Sequence, residues 1–429
     1  MSEISVAPAR RRRTGLAAGI MLGALIAGLL LGILVAQGAG AWREPMVQAA
    51  TVIGGLWLDA LRMTVIPLIV ALLITGIVGG ADAARAGGLA ARAVGWFMAF
   101  YIFSAAFGAA AMSGLLAAFP LPVEAAAALR AGLSEVDPTT TAAAVPTVAD
   151  FFRSIVPTNP MAAAANDQIL PLVVFTVIFA FALSQIDPAK RLSVLGFFDA
   201  VGDAMLKVIG WVLWLAPIGV FALAFAVGAG AGSSALGAVV HYVILISALG
   251  AGLTLLGYAI ASMVGRFEAV DFARAMAGPS AVAVSTRSSL ASLPAMLSAA
   301  AALGIGQRRA DILLPLAVAL FRATGPAMNI GVVIYVAHLV GVGITPLGFA
   351  VGIAVAAMAS IGAVSLPGQI SFVTSIAPIA IAMGVPIEPL ALLLALETIP
   401  DIFRTLGNVT LDVAVTGAVS RQAGPEDSD

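Results

Sequence analysis

From Arg13 to Gln37 the chain reads RTGLAAGIMLGALIAGLLLGILVAQ, with no charge after the first residue. A helix of that length crosses the roughly 30 Å hydrocarbon layer of a bilayer at about 1.5 Å per residue. A second run, LKVIGWVLWLAPIGVFALAFAV (206–227), is as long, and similar runs recur along the sequence. Of 429 residues, 61% are hydrophobic and 10% are charged. Transmembrane β-strands would instead show short alternating segments. The sequence therefore predicts an all-α polytopic membrane protein with the lipid bilayer as its main partner. A net charge of −1 offers no basic patch for nucleic acid, and the lack of cysteine excludes disulfides and cysteine metal sites.

Arg10–Arg13 precede a run that ends in AQGAGA, which has the outline of a cleavable signal. The run is longer than the ~7–15 apolar residues of such a signal, so it reads as a first transmembrane helix with residues 1–13 in the cytoplasm. Spans are expected at 14–37, 46–79, 87–119, 163–185, 195–230, 236–265, 311–341 and 386–419. Between them, about 120–160 is a polar insertion rich in Pro and Thr, and 421–429 is a solvated tail. Basic residues at 10–13, 85, 92, 190, 191, 308 and 309 place both termini in the cytoplasm if there are eight crossings; the expected location is the cell (inner) membrane.

Two further apolar stretches are interrupted. Residues 273–303 carry STRSSLASLP at their centre, and 346–385 carry ASIGAVSLPGQISFVTSIAP. Non-helical backbone at membrane depth persists only inside protein or along a cavity. A pair of such interrupted segments points to a transporter site built from discontinuous helices, and their symmetry suggests an inverted repeat.

The last apolar stretch contains LETIPDIFRTLGNVTLD (396–412). At 100° per residue, Glu397, Asp401, Arg404, Thr405, Asn408 and Asp412 fall near 0°, 40°, 340°, 80°, 20° and 60°. Ionisable residues on a membrane helix face a cavity, a partner or an ion rather than lipid. Glu397 and Asp412 lie about 22 Å apart along a helix, so either could instead reach the membrane surface. Pro400 removes one backbone hydrogen bond and frees a carbonyl nearby. The stripe suits a small anionic or zwitterionic solute: Arg404 offers a planar fork for a carboxylate, Asp401 accepts from an ammonium, and Asn408 donates and accepts.

These residues carry a family resemblance. IVPTNPMAAAANDQILP (155–171), LRMTVIPLI (61–69), LAPIGVFAL (215–223), STRSSLASLP (285–294) and DIFRTLGNVTLD (401–412) occur in family order. Over about 15–420 the chain resembles the dicarboxylate/amino acid:cation symporter family, the glutamate transporter homologues. The resemblance implies eight transmembrane helices plus two re-entrant helical hairpins, assembled as a homotrimer. Residues 14–265 would be largely scaffold, and 266–420 (hairpin 1, helix 7, hairpin 2, helix 8) would form a transport core moving like an elevator. It implies uptake of acidic amino acids or dicarboxylates with sodium or a proton as coupling ion, and no other cofactor. By the same resemblance Arg404 binds a side-chain carboxylate, Asp401 an amino group, and Thr405 and Asn408 other parts of the substrate. Asp412 and the Asn408 carbonyl would ligate sodium. Ser288 and Ser289 match the serine-rich tip of hairpin 1, with Leu290 in place of a third serine. Ser365, Pro367 and Gly368 match the hairpin 2 gate.

Helix 7 departs from the pattern. Where the family carries Asn-Met-Asp-Gly-Thr, aligning Leu314–Leu316 places FRATG (321–325) here. MNIG (328–331) contains an asparagine but is out of register. Phe321, Ala323 and Gly325 offer sodium no side-chain oxygen, and Arg322 adds a fixed positive charge. Two readings follow. Arg322 could replace part of the sodium charge, with a proton carried on Glu397 or Asp401, since removal from water favours a neutral carboxyl, or with exchange alone. It could instead bind substrate and favour dianions. Sodium-coupled transport and a transport-inactive membrane binding or sensor protein are the alternatives. An intramembrane enzyme has little to work with: the only histidines are His241 and His338, read as packing or interfacial residues with a proton relay as the alternative, and no HExxH or GxSxG occurs. A channel fits the Arg–Asp pairing less well than a solute carrier does.

Overall fold

The computed structural model describes residues 8–37, 42–85, 87–121, 157–166, 168–231, 234–361 and 368–423. The described chain is helical: α1 (Pro8–Ala36), α2 (Arg43–Arg85), α3 (Gly88–Ala118), α4 (Pro160–Ala165), α5 (Ile169–Leu183), α6 (Pro188–Trp214), α7 (Ala216–Ala231) and α8 (Ser234–Met263) form the first part. The second part holds α9 (Ala269–Thr286), α10 (Ser289–Ala302), α11 (Gln307–Leu320), α12 (Gly325–Val340), α13 (Pro346–Ile361), α14 (Gly368–Ala382), α15 (Glu388–Leu394) and α16 (Pro400–Gln422). Most of the expected polar insertion lies outside the described residues, as do Ser365 and Pro367.

By length and hydropathy, four stretches among the described residues can cross a membrane: Arg43–Gly79, Gly88–Ala118, Gly237–Met263 and Gln307–Val340. The pair α6 and α7, bent by 57°, makes a fifth if it is one span. Within the span expected over 195–230 the chain bends at Leu215, just before Pro217, whose missing N–H cannot continue the helix ladder. Large apolar side chains such as Leu34, Leu56, Trp214 and Leu255 are exposed, as befits helices turned toward lipid.

Local sequence sets the helix starts. The Asn159 side chain accepts from the Met161 and Ala162 amides to cap α4, and Asp187 does the same for α6. Prolines open α4, α6, α12 and α16, where a missing N–H costs nothing.

α1 packs along α7, and α2 packs against α6 and α7. Glycines allow the close approach of α1 to α7. A Cβ on Gly28 or Gly32 would run into the α7 backbone, and one on Gly228 into that of α1. α9 and α10 fold back on each other across a short turn, and α13 packs against α14. α12 and α16 run through the interior: every residue from Gly325 to Ala337 and from Gly407 to Ser420 is buried. α3 packs on α12, and α8 packs on α16, so the two central helices are enclosed by protein.

Replacing Gly228 with Val is expected to lower the thermal stability of the purified protein by on the order of 1–3 kcal/mol through overpacking. Gly23→Ala, where no atom stands near an added Cβ, is expected to leave the melting temperature unchanged or slightly higher.

Candidate functional site

The residues of the polar stripe are brought together, but not on one continuous helix. The expected helix over 386–419 is interrupted between Leu394 and Pro400, and Glu397 lies in the intervening turn. Pro400 has no N–H to donate, so it opens α16 rather than lying within it. The Asp401 amide still donates to the Glu397 carbonyl at 2.8 Å. That turn holds Glu397 over the first turns of α16. Neither end of the stripe reaches the surface: Glu397 is 2% exposed and Asp412 is fully buried.

Arg404 is the hub. Its Nη2 and Nε donate to Glu397 Oε1 at 2.9 and 3.2 Å, and its Nη1 donates to Asn329 Oδ1 at 2.8 Å. Asp401 Oδ1 lies 4.0 Å from Nε. A guanidinium that is 6% exposed has few waters to rely on, so these acceptors replace them. Asp401, Thr405 and Asn408 are buried on the same part of α16.

The break between α11 and α12 (321–324) faces this cluster. The backbone groups freed by the break must find partners. The Tyr101 hydroxyl of α3 donates to the Leu320 carbonyl and accepts from the Arg322 amide at 3.2 Å. Ser104, one turn on, donates to the Ala323 carbonyl at 2.6 Å. From the other side the Thr324 amide donates to Asn408 Oδ1 at 2.9 Å. The Thr324 hydroxyl sits 2.9 Å from the same oxygen and 3.0 Å from the Arg404 carbonyl. Side chains of α3 and α16 thus close the break on both sides.

Phe321 fills the space beside the break. It is 1% exposed, stacks on Phe97 at 4.4 Å between centroids, and meets Phe100 edge-on at 5.3 Å. Asp412 is buried, and neither of its carboxylate oxygens has a hydrogen bond. Arg322 is the charge that acts on it, and Arg322 also acts on Asp401. Among the described residues no group of three or more His, Asp or Glu side chains is placed to hold a metal.

The turn between α9 and α10 adds a further charge near the cluster. Arg287 has positive φ (51°), which reverses the chain there, and its charge acts on Asp401. Ser288 caps α10 by accepting from the Ala291 amide at 3.2 Å, and Ser289 is the first residue of α10. Both helices pack against α16. Gly368 opens α14 at the edge of the described residues. Sequence reasoning missed Asn329, Thr324, Tyr101 and Ser104. The Gly-Pro pair at 325–326 signals a helix start and makes Thr324 a flanking residue. Asn329, dismissed on register, is polar inside a wholly buried helix, which is itself a signal.

This arrangement defines a helical membrane transporter of small charged solutes: a buried arginine, carboxylates around it, and helices broken beside them. The chain belongs to the Sodium:dicarboxylate symporter family, whose profile matches residues 18–422. It is 27% identical to the "Proton/sodium-glutamate symport protein" of Bacillus subtilis, covering 87% of this chain and 86% of the relative. It is 26% identical to the "Proton/glutamate-aspartate symporter" of Escherichia coli over 83% of this chain and 81% of that one. Identity is also 26% to the "C4-dicarboxylate transport protein" of Laribacter hongkongensis, over 88% and 84%. The family and these relatives are transporters, so the chain is a multi-pass membrane transporter and not an enzyme.

Thr324→Val keeps the shape of the side chain but removes a donor from Arg404 and Asn408. It is expected to destabilise the protein by about 1–3 kcal/mol, with Thr324→Ser close to wild type, read as melting temperature in detergent.

Proposed function

We propose that the chain carries acidic amino acids or C4-dicarboxylates across the inner membrane without sodium, by proton-coupled transport or by exchange. The substrate class is supported by the named relatives and by the chemistry of Arg404, which matches a carboxylate. Arg404, Asp401, Thr405, Asn408, Ser288 and Ser289 form the substrate site in this reading, with Ser365, Pro367 and Gly368 as its gate.

The observation that carries the sodium-independent reading is the packing of Phe321. The resemblance places a sodium ligand at this position, and an aromatic ring stacked on Phe97 and Phe100 occupies it here. Sodium needs oxygen ligands, and Ala323 and Gly325 supply none from their side chains. The charges fit the same reading. Glu397, Asp401 and Asp412 are balanced by Arg404, Arg322 and Arg287, which act on them. By formal charge the set is neutral without a cation.

A coupling step follows from the Arg404–Glu397 pair. A substrate carboxylate that takes the Arg404 fork leaves Glu397 buried without its partner. An unpaired buried charge costs several kcal/mol, and a proton on Glu397 removes that cost. Transport would then carry a proton with each substrate, or proceed as exchange when the substrate leaves only in trade for another. In this reading the protein is a homotrimer of eight-crossing subunits with both termini cytoplasmic. Residues 14–265 are largely scaffold and 266–420 form a core that moves like an elevator. α3 and α8, which pack on α12 and α16, would travel with that core.

The test is uptake into proteoliposomes of labelled aspartate and labelled succinate, each with a sodium gradient, a proton gradient or neither. Uptake of at least one is expected to be unchanged when choline replaces sodium. Arg404→Lys is expected to lower it about a hundredfold or more, since a bidentate carboxylate contact is lost. Sodium-driven aspartate uptake with no sodium-free component would contradict the reading.

A further inference from the structure

A groove of about 360 Å³ runs between α3 and α8. Its lining, drawn from 107–115 of α3 and 248–252 of α8, lies inside the spans Gly88–Ala118 and Gly237–Met263, so it sits at membrane depth. Phe107 and Leu115 give it bulk, and Phe107 stacks on Phe103 at 6.1 Å between centroids. Ala111, Gly114, Ala248 and Gly252 contribute little or no side chain. A Cβ added to Gly114 or Gly252 would meet no atom within 4 Å, so packing within the chain demands neither glycine. Gly108 and Gly250, near them in sequence, do serve packing: a Cβ there would collide with Ala327 of α12 or Phe403 of α16.

Leu249 is the floor of the groove. It is 2% exposed, and a Cβ added to Gly331 of α12 would lie 2.6 Å from its Cδ2. The groove therefore backs onto the part of α12 that carries Asn329, the partner of Arg404.

The lining decides what can fill this space. None of its side chains has a polar atom, and the backbone groups of both helices are paired within the helices. A buried water needs about two to four polar partners, and a charged ligand needs at least as many. The flanks show what lies outside. Phe103 of α3 and Ile244 and Leu255 of α8 are large, apolar and exposed, so the groove opens on the lipid-facing surface of both helices. Apolar surface gains nothing by leaving lipid, so binding there comes from packing. An unfilled groove forfeits dispersion contacts, and small residues let an occupant lie close to the helices.

We propose that the α3–α8 groove seats one acyl chain of a membrane lipid and selects it by shape. The chain lies on Leu249 between Phe107 and Leu115. Because the seat is defined by close packing, a straight chain fits it better than a methyl-branched one.

The experiment reconstitutes the full-length protein in vesicles of diphytanoyl phosphatidylcholine, whose chains are methyl-branched. Straight-chain dibromostearoyl phosphatidylcholine, which quenches nearby tryptophan, is added in rising fractions. Phe107→Trp reports from the groove. Ile102→Trp, exposed on the same helix, reports from bulk lipid. The signal of the native tryptophans is subtracted with wild type. The groove reporter is expected to be half-quenched at about threefold less brominated lipid than the bulk reporter, the mark of a preferred chain. Adding Gly252→Leu, whose side chain enters the groove, is expected to bring the two fractions together. Equal fractions without Gly252→Leu overturn the seat, and so does a difference that survives it. A groove reporter that no lipid quenches also overturns it, and would mean that protein covers the groove. If Phe107→Trp fails to fold, Leu115→Trp takes its place.

Discussion

A guanidinium shielded from water must be surrounded by acceptors, and much of this structure follows from meeting that demand at Arg404. Its partners come from three places in the chain: Glu397 before α16, Asp401 on α16 and Asn329 on α12. Removing one partner of such a buried pair costs far more than the pair contributes. The turn that carries Glu397 is therefore tied to the helix that carries Arg404, and α12 is tied to α16. In the proposed reading a solute carboxylate that competes for Arg404 would displace a charge that then needs another partner.

The break in the α11–α12 segment is the second constraint. Broken helices expose backbone groups, and inside a membrane protein those groups need partners from the protein or from an ion. Here Tyr101, Ser104, Thr324 and Asn408 supply the partners, and Phe321 fills the adjoining space. The positive charge that acts on buried Asp412 is Arg322, one residue after the phenylalanine. An aromatic plug and a fixed cation side by side are a coherent replacement for a bound cation, and that coherence is the main support for sodium-independent transport.

Much of this was legible in the sequence, for physical reasons. Apolar run length gave the membrane class, and helical period gave the grouping of Asp401, Arg404, Thr405, Asn408 and Asp412. The 100° projection also grouped Glu397 correctly, though that residue is not helical; the turn before Pro400 leaves it over the same face. What the sequence could not give was the contact between elements far apart in the chain. Asn329 reaches Arg404, and Tyr101 reaches the break, only through contacts between helices far apart in the chain. The bend at Leu215 and the interruption before Pro400 follow from proline chemistry, yet apolar periodicity runs straight through both. Hydropathy suggested eight membrane crossings; among the described residues four stretches pass by length and composition, or five with the bent α6–α7 pair.

The central claim is that Phe321 and Arg322 have taken the place of a bound sodium ion. It is tested most directly by substrate affinity in detergent as a function of sodium concentration at constant ionic strength. Binding linked to no sodium ion predicts a dissociation constant that does not change with sodium, because coupling between two ligands is reciprocal. A dissociation constant that falls in proportion to rising sodium would mean that an ion binds with the substrate, and would contradict the account.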